Sequence, residues 1–128
     1  MKNREAFFIN ISKSIKVTAE DIDDIMCSAL GGITYWCYKA EVVGEYLGEY
    51  ASEQISRGGA LKLYDCEEDE VYELTLQKFL RGVQLAIEGK YFINYEWVVG
   101  DGLDTCCVDA EVADCIIQLA LFDDVIFG

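Results

Sequence analysis

The residues of this chain that could carry out chemistry are mainly carboxylates. Glu20 with Asp23 or Asp24, and Glu111 with Asp114, are spaced three or four residues apart near expected helix starts. Such spacing places side chains on one helix face. If the two helices faced each other, their oxygens could bind Mg²⁺ or Ca²⁺. Acidic residues in a first helical turn also stabilise the helix dipole. This simpler interpretation is favoured, and no metal site is predicted.

Nucleophilic catalysis has little support in the sequence. The chain has six cysteines but no histidine, so the usual general base for a cysteine nucleophile is missing. A Cys/His zinc site is excluded, and the cysteine spacing fits neither a zinc ribbon nor a disulfide framework. We expect buried, reduced thiols. Because no GxSxG, P-loop or GxGxxG occurs, the sequence favours a protein that is not an enzyme and predicts no cofactor.

A row of glutamates within residues 40–57 is the best functional clue. Four of them recur at every fourth position: Glu41, Glu45, Glu49 and Glu53. A row of small residues that includes Gly44 and Gly48 runs beside them, and this period predicts one helix whose small side contacts another backbone. Repulsion among the glutamates and the low helix propensity of the two glycines would together destabilise such a helix by roughly 3 kcal/mol. Patterns that break local rules in this way are typical of functional sites.

A second acidic segment lies in the turn that joins two predicted strands. Its members are Glu67, Glu68, Asp69 and Glu70. Together with the glutamate row they form the predicted partner-binding face. A charged row on a helix resembles a phosphate backbone only if other acidic residues join it, because duplex DNA carries one charge per ~1.7 Å of axis.

The elements that must position these residues follow from hydrophobic periodicity and helix caps. Helices are predicted at residues 18–30, 40–57, 75–88 and 109–121. Strands are predicted at residues 7–17, 61–65, 71–74 and 91–99, with a terminal edge strand at 125–127 and a loop at 100–105. Residues 33–38 are left open between a strand and the lead-in to the next helix.

These elements predict one α+β domain over residues 1–128, with a small, mostly antiparallel sheet packed with about four helices. The chain has 128 residues, no proline and 52% hydrophobic residues. That length corresponds to one domain with a sizeable core. Since no linker or low-complexity segment interrupts the pattern, no domain boundary is predicted.

Two helices share an internal similarity. Residues 17–30 align with residues 108–121, and seven of the fourteen positions are identical. Convergence of capped amphipathic helices is the simpler explanation, and a duplicated unit is the alternative. Either explanation predicts helix caps at Thr18 and Asp109 and buried side chains at Ile25 and Ile116. Ala29 and Ala120 should also be buried, and the second helix should be the more buried of the two.

Aromatic residues cluster in and just before the patterned segment. The set comprises Tyr35, Trp36, Tyr38, Tyr46 and Tyr50. We expect most of them in the core. The alternative is that part of the set forms an interface patch, where tyrosine and tryptophan are favoured.

The charge of the chain limits its partners. The net charge is −14, and residues 41–73 carry ten acidic and two basic residues, a net of −8. The charge therefore argues against direct binding of nucleic acid through a basic patch, and none is predicted. The longest apolar stretch, residues 115–122, is too short to span a bilayer, so no membrane association is predicted and a cytoplasmic location is expected. A homo-oligomer is left open.

Several segments resemble a group of small acidic proteins encoded by phages, prophages and mobile elements of Gram-positive bacteria. They are TAEDIDDIM (18–26), EVVGEYLGEYASEQISRGG (41–59), YELTLQKFL (72–80) and DAEVADCIIQLALF (109–122). The resemblance implies a setting of host takeover or defence evasion inside a bacterial cell. By analogy, small acidic proteins in that setting often inhibit nucleases or restriction systems.

Two functional hypotheses follow. The first is a non-enzymatic inhibitor, anti-CRISPR or anti-restriction and DNA-mimic-like, that binds a basic, nucleic-acid-handling bacterial protein such as a defence nuclease. The second is a small carboxylate-metal or ligand-binding protein or enzyme of a mobile element. It rests only on the carboxylates near the two helix starts at residues 20–24 and 111–114. The sequence does not name the partner.

Overall fold

The structure is a computed structural model that describes residues 14–89 and 97–128. The α-helices are α1 (Ala19–Gly32), α2 (Leu76–Glu88) and α3 (Ala110–Phe122). The strands are β1 (Cys37–Val42), β2 (Leu61–Asp65), β3 (Val71–Leu74), β4 (Val98–Val99) and β5 (Gly102–Leu103). Short 3₁₀ helices occupy Ala51–Glu53, Ile55–Arg57 and Thr105–Cys107. The predicted fold class, a single small α+β domain with an antiparallel sheet, is confirmed.

The starts of α1 and α3 are capped as predicted. The Thr18 side chain accepts a hydrogen bond from the Asp21 N–H at 3.1 Å, and the Asp21 carboxylate accepts one from the Thr18 N–H at 3.0 Å. At α3, Asp109 accepts from the Val112 N–H at 2.8 Å. These bonds satisfy backbone donors that a helix start otherwise leaves unpaired.

The internal similarity between α1 and α3 extends to their packing. Ile25, Ile116 and Ala29 are fully buried, and Ala120 is 6% exposed, as predicted. Four residues of α1 are buried against seven of α3. The second helix is therefore the more buried of the two, because α3 packs against both α1 and α2.

Close approach of helices depends on glycines other than those the sequence pattern indicates. A Cβ atom on Gly82 of α2 would lie 2.8 Å from the Ala120 Cβ and even nearer to the Ile116 carbonyl oxygen of α3. Gly32, at the end of α1, lies similarly against the Ala110 carbonyl. These two positions bring α1 and α2 onto α3.

The sheet is an antiparallel meander in the order β1-β2-β3. Val42 pairs with Leu61 at one end of the β1–β2 ladder, and Cys37 pairs with Asp65 at the other, with an irregularity between Cys37 and Lys39. The β2–β3 hairpin forms where predicted. Alternate residues on one face of this hairpin are buried in the core: Leu61, Leu63 and Leu74.

The predicted continuous helix over residues 40–57 is wrong. Strand β1 runs to Val42, residues 43–50 form a loop, and two 3₁₀ helices follow. Gly44 and Gly48 have φ angles of 77° and 82°, a left-handed conformation that glycine adopts without strain and that ends a helix. Gly44 faces open space, and Gly48 meets the guanidinium of Arg57. Neither glycine contacts another backbone, contrary to prediction.

Other strand predictions differ at the ends of the chain. The predicted terminal strand at 125–127 is wrong: the N–H groups of Ile126 and Phe127 donate to the Gln118 side chain, each at 2.8 Å. Residues 14–17 of the predicted strand 7–17 have no regular structure. Residues 7–13 and 91–96 lie outside the described residues. Residues 33–38, which the sequence leaves open, form a turn at 33–36 and the beginning of β1 at 37–38. The predicted loop at 100–105 contains the short strand β5.

Candidate partner-binding loop

The loop at residues 43–50, here named the acidic aromatic loop, is the most exposed apolar segment of the described chain. Tyr46 is 60% exposed and Tyr50 is 62% exposed, with Val43 and Leu47 also exposed. Glu45 and Glu49 of the predicted partner-binding set lie between them and are exposed. Eight consecutive residues therefore present aromatic, aliphatic and negatively charged side chains to solvent together.

A buried glutamine fixes the backbone of this loop. Gln54 is only 1% exposed. Its Oε1 accepts from the Leu47 N–H, and its Nε2 donates to the carbonyl oxygens of Leu47 and Tyr50, all at 2.8 Å. A buried amide with all these partners satisfied is a strong geometric constraint. The loop is consequently held in one conformation although its side chains are in water.

Glu53 belongs to this support and not to the exposed row. Its Oε1 accepts hydrogen bonds from the N–H groups of Glu49 at 2.8 Å and Tyr50 at 2.9 Å. These backbone donors lower the pKa of the Glu53 carboxyl, and the nearby Arg57 adds to the effect. Arg57 lies 3.6 Å from Glu53 and also packs against Gly48. The loop thus contains two free glutamates, not a row of four.

The following 3₁₀ helix anchors the loop to the helical layer. The Ser56 hydroxyl donates to Asp23 of α1 at 2.6 Å, and Arg57 lies 3.9 Å from the same carboxylate. Backbone pairing of the Val43 N–H with the Ala60 carbonyl at 3.1 Å closes the base of the segment. Both ends of the loop are therefore attached to regular elements.

The aromatic residues are mostly exposed, so the expectation that they lie in the core is wrong. Tyr35, Tyr38, Tyr46 and Tyr50 are all at least half exposed, and only Trp36 is buried. Tyr38 lies in β1 at the irregularity between Cys37 and Lys39, next to the buried Cys37, and its ring centroid is 5.9 Å from that of Tyr64. The alternative interpretation, that part of the set forms a surface patch, fits these positions.

Glu41 and the acidic turn occupy different places from the loop. Glu41 lies on the sheet, where Lys39 is 3.2 Å away and the Tyr64 hydroxyl donates to it at 2.9 Å. These contacts lower the pKa of the Glu41 carboxyl. The turn residues of the predicted set, Glu67, Glu68, Asp69 and Glu70, are exposed. The turn follows Asp65, which pairs with the start of β1, whereas the loop follows the end of β1. The two acidic segments thus lie at opposite ends of the sheet.

Asp65 shapes the acidic turn from inside. It is fully buried, and its carboxylate accepts from the Glu67 N–H at 2.6 Å and from the Tyr72 hydroxyl at 3.1 Å. Burial of Tyr72 and its bond to Asp65 raise the pKa of the phenol to about 12. The turn therefore has its own structural support, independent of the acidic aromatic loop.

Three of the five carboxylates considered for metal binding have other partners: Asp23, Asp24 and Asp114. Asp114 is buried and accepts hydrogen bonds from Tyr35 at 2.6 Å, Trp36 at 2.8 Å and Gln118 at 3.0 Å. Burial and the bond to Asp114 raise the pKa of Tyr35 to about 12. Asp24 accepts from the Thr105 hydroxyl at 2.9 Å. Within residues 14–89 and 97–128, no group of three or more acidic or thiol side chains has a geometry suited to a metal ion.

The cysteines form no disulfide within the described residues, and most of them are not buried, contrary to expectation. Cys27, Cys66, Cys106 and Cys107 are exposed, whereas Cys37 is buried and Cys115 is partly buried. Burial of Cys115 and the neighbouring Asp114 raise the pKa of its thiol to about 11. A thiol with a raised pKa is a poor nucleophile at neutral pH.

The side chain that sequence reasoning missed is Gln54. In the sequence, Val42, Tyr46, Tyr50 and Gln54 recur at every fourth position, and Gln54 is the one residue of this series that is neither apolar nor aromatic. That exception is the signal that could have identified it. No helix among the described residues is both long and apolar enough to cross a membrane. Comparison with protein-family models, with curated proteins and with solved structures finds no significant match.

Proposed function

We propose that this protein is a non-enzymatic acidic inhibitor that binds a basic, nucleic-acid-handling bacterial protein through the acidic aromatic loop. The observation that carries the proposal is that residues 43–50 combine exposed side chains with a backbone that is hydrogen-bonded to Gln54 and Glu53. Tyr46 and Tyr50 are exposed, while the backbone between them is held by Gln54 and Glu53.

Rigidity favours binding because association otherwise costs conformational entropy. Ordering a mobile segment at an interface consumes part of the gross interaction energy, and a preorganised segment avoids that loss. Tyrosine provides a large contact area with few rotatable bonds and is enriched among the residues that dominate binding. A pair of exposed tyrosines on a fixed backbone supports a role in recognition.

Charge supports a basic partner. The net charge of −14 and the exposed Glu45 and Glu49 favour encounter with a positively charged surface. Nucleic-acid-handling proteins present such surfaces. The resemblance to small acidic proteins of phages and mobile elements supports a defence nuclease of a CRISPR or restriction system, in the cytoplasm of a bacterial host. Because residues 40–57 do not form one helix, a helical row of glutamates that imitates a DNA backbone is no longer supported. The loop takes the place of the row in the proposal.

The test is binding to purified candidate nucleases, measured by surface plasmon resonance over a range of salt concentrations. The double variant Tyr46→Ala/Tyr50→Ala should accelerate dissociation, since it removes contact area. Glu45→Gln/Glu49→Gln should slow association and flatten its salt dependence, because complementary charge acts mainly on the encounter rate.

The matched control is Glu67→Gln/Glu68→Gln, which removes the same charge at the opposite end of the sheet. It should leave both rates near those of the unaltered protein. Nuclease activity should fall when the unaltered protein is added, and nucleic acid should compete for binding. A nuclease bound equally well by the unaltered protein and by the tyrosine variant would contradict the proposed surface. Failure of nucleic acid to compete would contradict the proposed class of partner.

A further inference from the structure

Among the described residues, strand β1 has an open edge. It is the first strand in the order β1-β2-β3, and no described strand pairs with its outer side. Lys39 and Ala40 are consecutive and both exposed. Because successive side chains of a strand point to opposite faces, this exposure means that neither face is covered at this point. An open edge presents unpaired backbone groups to another chain.

The pairing with β2 determines which backbone groups point outward. The Val43 N–H donates to the Ala60 carbonyl at 3.1 Å. Hydrogen-bonded and non-hydrogen-bonded pairs alternate in an antiparallel ladder, so Glu41 and Lys62, which are paired in register, exchange bonds with each other. Ala40 and Val42 therefore direct their N–H and C=O groups away from β2.

We propose that two copies of this chain associate through β1, antiparallel about a two-fold axis at Ala40. In this register Ala40 exchanges both backbone hydrogen bonds with the partner's Ala40. Lys39 then lies opposite the partner's Glu41, and Glu41 opposite the partner's Lys39. Opposite charges directly across an antiparallel pair stabilise it, and like charges destabilise it.

The charges select this register over its neighbours. An axis at Glu41 would place two glutamates opposite each other. An axis at Val42 would place Glu41 opposite the partner's Val43. Lys39 would then face the partner's Glu45, which lies in the loop beyond the end of β1 and is not part of a ladder. Within one chain Lys39 and Glu41 already lie 3.2 Å apart on the outer face. In the dimer each of these charges would therefore have an opposite charge beside it in its own strand and another across the axis. Lysine on an edge normally blocks pairing, but here the edge is complementary to itself.

The extent of the contact predicts a reversible dimer. The irregularity between Cys37 and Lys39 ends the regular part of the strand, and a bulge of this kind limits further pairing. A short ladder with few covered side chains corresponds to the small, transient class of interfaces. We therefore expect a dimer that forms in the micromolar range and joins two three-stranded sheets into one of six strands.

The test is sedimentation equilibrium of the full chain at physiological salt, from low micromolar to near-millimolar concentration. Lys39→Glu and Glu41→Lys should each weaken self-association about tenfold or more, since each variant places like charges across the axis. Mixing the two variants should restore dimers, and so should the double variant. Lys78→Glu is the matched control: it makes the same charge change on α2, beside the opposite edge strand β3, and should leave the dimer intact.

A backbone variant tests the ladder independently of charge. Ala40→Pro removes an outward N–H that β2 does not use, and proline is tolerated at such edge positions. It should abolish the dimer while the far-ultraviolet spectrum and thermal midpoint stay close to those of the unaltered chain. If Ala40→Pro unfolds the chain, mixing the two single-charge variants still decides. A monomer at all concentrations, or a mixture that does not re-form dimers, would overturn the proposal.

Discussion

Replacing Gln54 by leucine should release the acidic aromatic loop. The substitution keeps a similar volume in a buried position but removes every hydrogen bond that Gln54 makes to the loop backbone. Those bonds join its Oε1 to the Leu47 N–H and its Nε2 to two carbonyl oxygens, at Leu47 and Tyr50. No other hydrogen bond of the Leu47 N–H is seen in the described structure.

The magnitude follows from the number of bonds. Each hydrogen bond contributes a net ~1 kcal/mol to stability, so the sum is about 3 kcal/mol. Water can reach the freed groups of an exposed loop, which offsets part of this loss and leaves about 2–3 kcal/mol. For a domain of this length, 1 kcal/mol corresponds to a shift of about 4 °C in thermal midpoint. We therefore expect the midpoint to fall by roughly 8–12 °C.

The assay combines thermal unfolding with amide hydrogen exchange resolved by residue. In the Gln54→Leu variant the Leu47 amide should lose its protection, whereas amides in α3 should keep theirs under conditions where the fold persists. Gln84→Leu is the control. Gln84 is exposed on α2 and makes one side-chain bond, to Glu88 at 2.9 Å. It should shift the midpoint by less than about 2 °C. Unchanged protection of Leu47 would refute the role assigned to Gln54.

Three further predictions concern the core and the titrating groups. Gly82→Ala should destabilise the fold by several kcal/mol because its Cβ would overlap the backbone of α3. Gly31→Ala, where nothing lies within 4 Å, should stabilise it by up to ~1 kcal/mol; chemical unfolding compares the two. A thiol reagent at neutral pH should modify the four exposed cysteines quickly and Cys37 and Cys115 slowly, since burial raises the pKa of both thiols. Mass spectrometry of the modified peptides measures the rate at each cysteine, and equal rates at all six would contradict the prediction. The folded-state pKa of Tyr35 is about 12, above its unfolded value, so its neutral form stabilises the fold below pH ~10. This contribution is lost as pH rises towards 12, and Tyr35→Phe should remove one late step from the ultraviolet titration of phenol ionisation.

The helices at both ends of the described chain could be predicted because their signals are local. Thr18 and Asp109 are side-chain caps that act within three residues, and the stripes containing Ile25 and Ile116 have helical spacing. The β2–β3 hairpin is also local, with strands joined by a short polar turn. Where a few neighbouring residues determine an element, sequence and structure agree.

The segment 40–57 shows why the rest could not be predicted. Its spacing of four residues is compatible with a helix, but Gly44 and Gly48 adopt left-handed backbone angles that interrupt one. Gln54 then supplies to residues 47 and 50 the bonds that a helix would have made. The buried network at Asp114 joins residues almost eighty positions apart, and no local pattern encodes such pairing. The sequence therefore indicates this acidic segment through its charge, but it predicts a helix where the structure has a loop.

The bonds that hold the acidic aromatic loop have a consequence for how its sequence can change. The hydrogen bonds that the Gln54 and Glu53 side chains make to the loop all join them to backbone atoms, at residues 47, 49 and 50. The side chains at Glu45, Tyr46 and Glu49 therefore take no part in maintaining the loop's shape. Natural selection can alter these side chains, one after another, to follow a partner that is itself changing, without loss of fold. Among descendants of this sequence, we expect Gln54 and the two loop glycines to persist while the residues between them diverge.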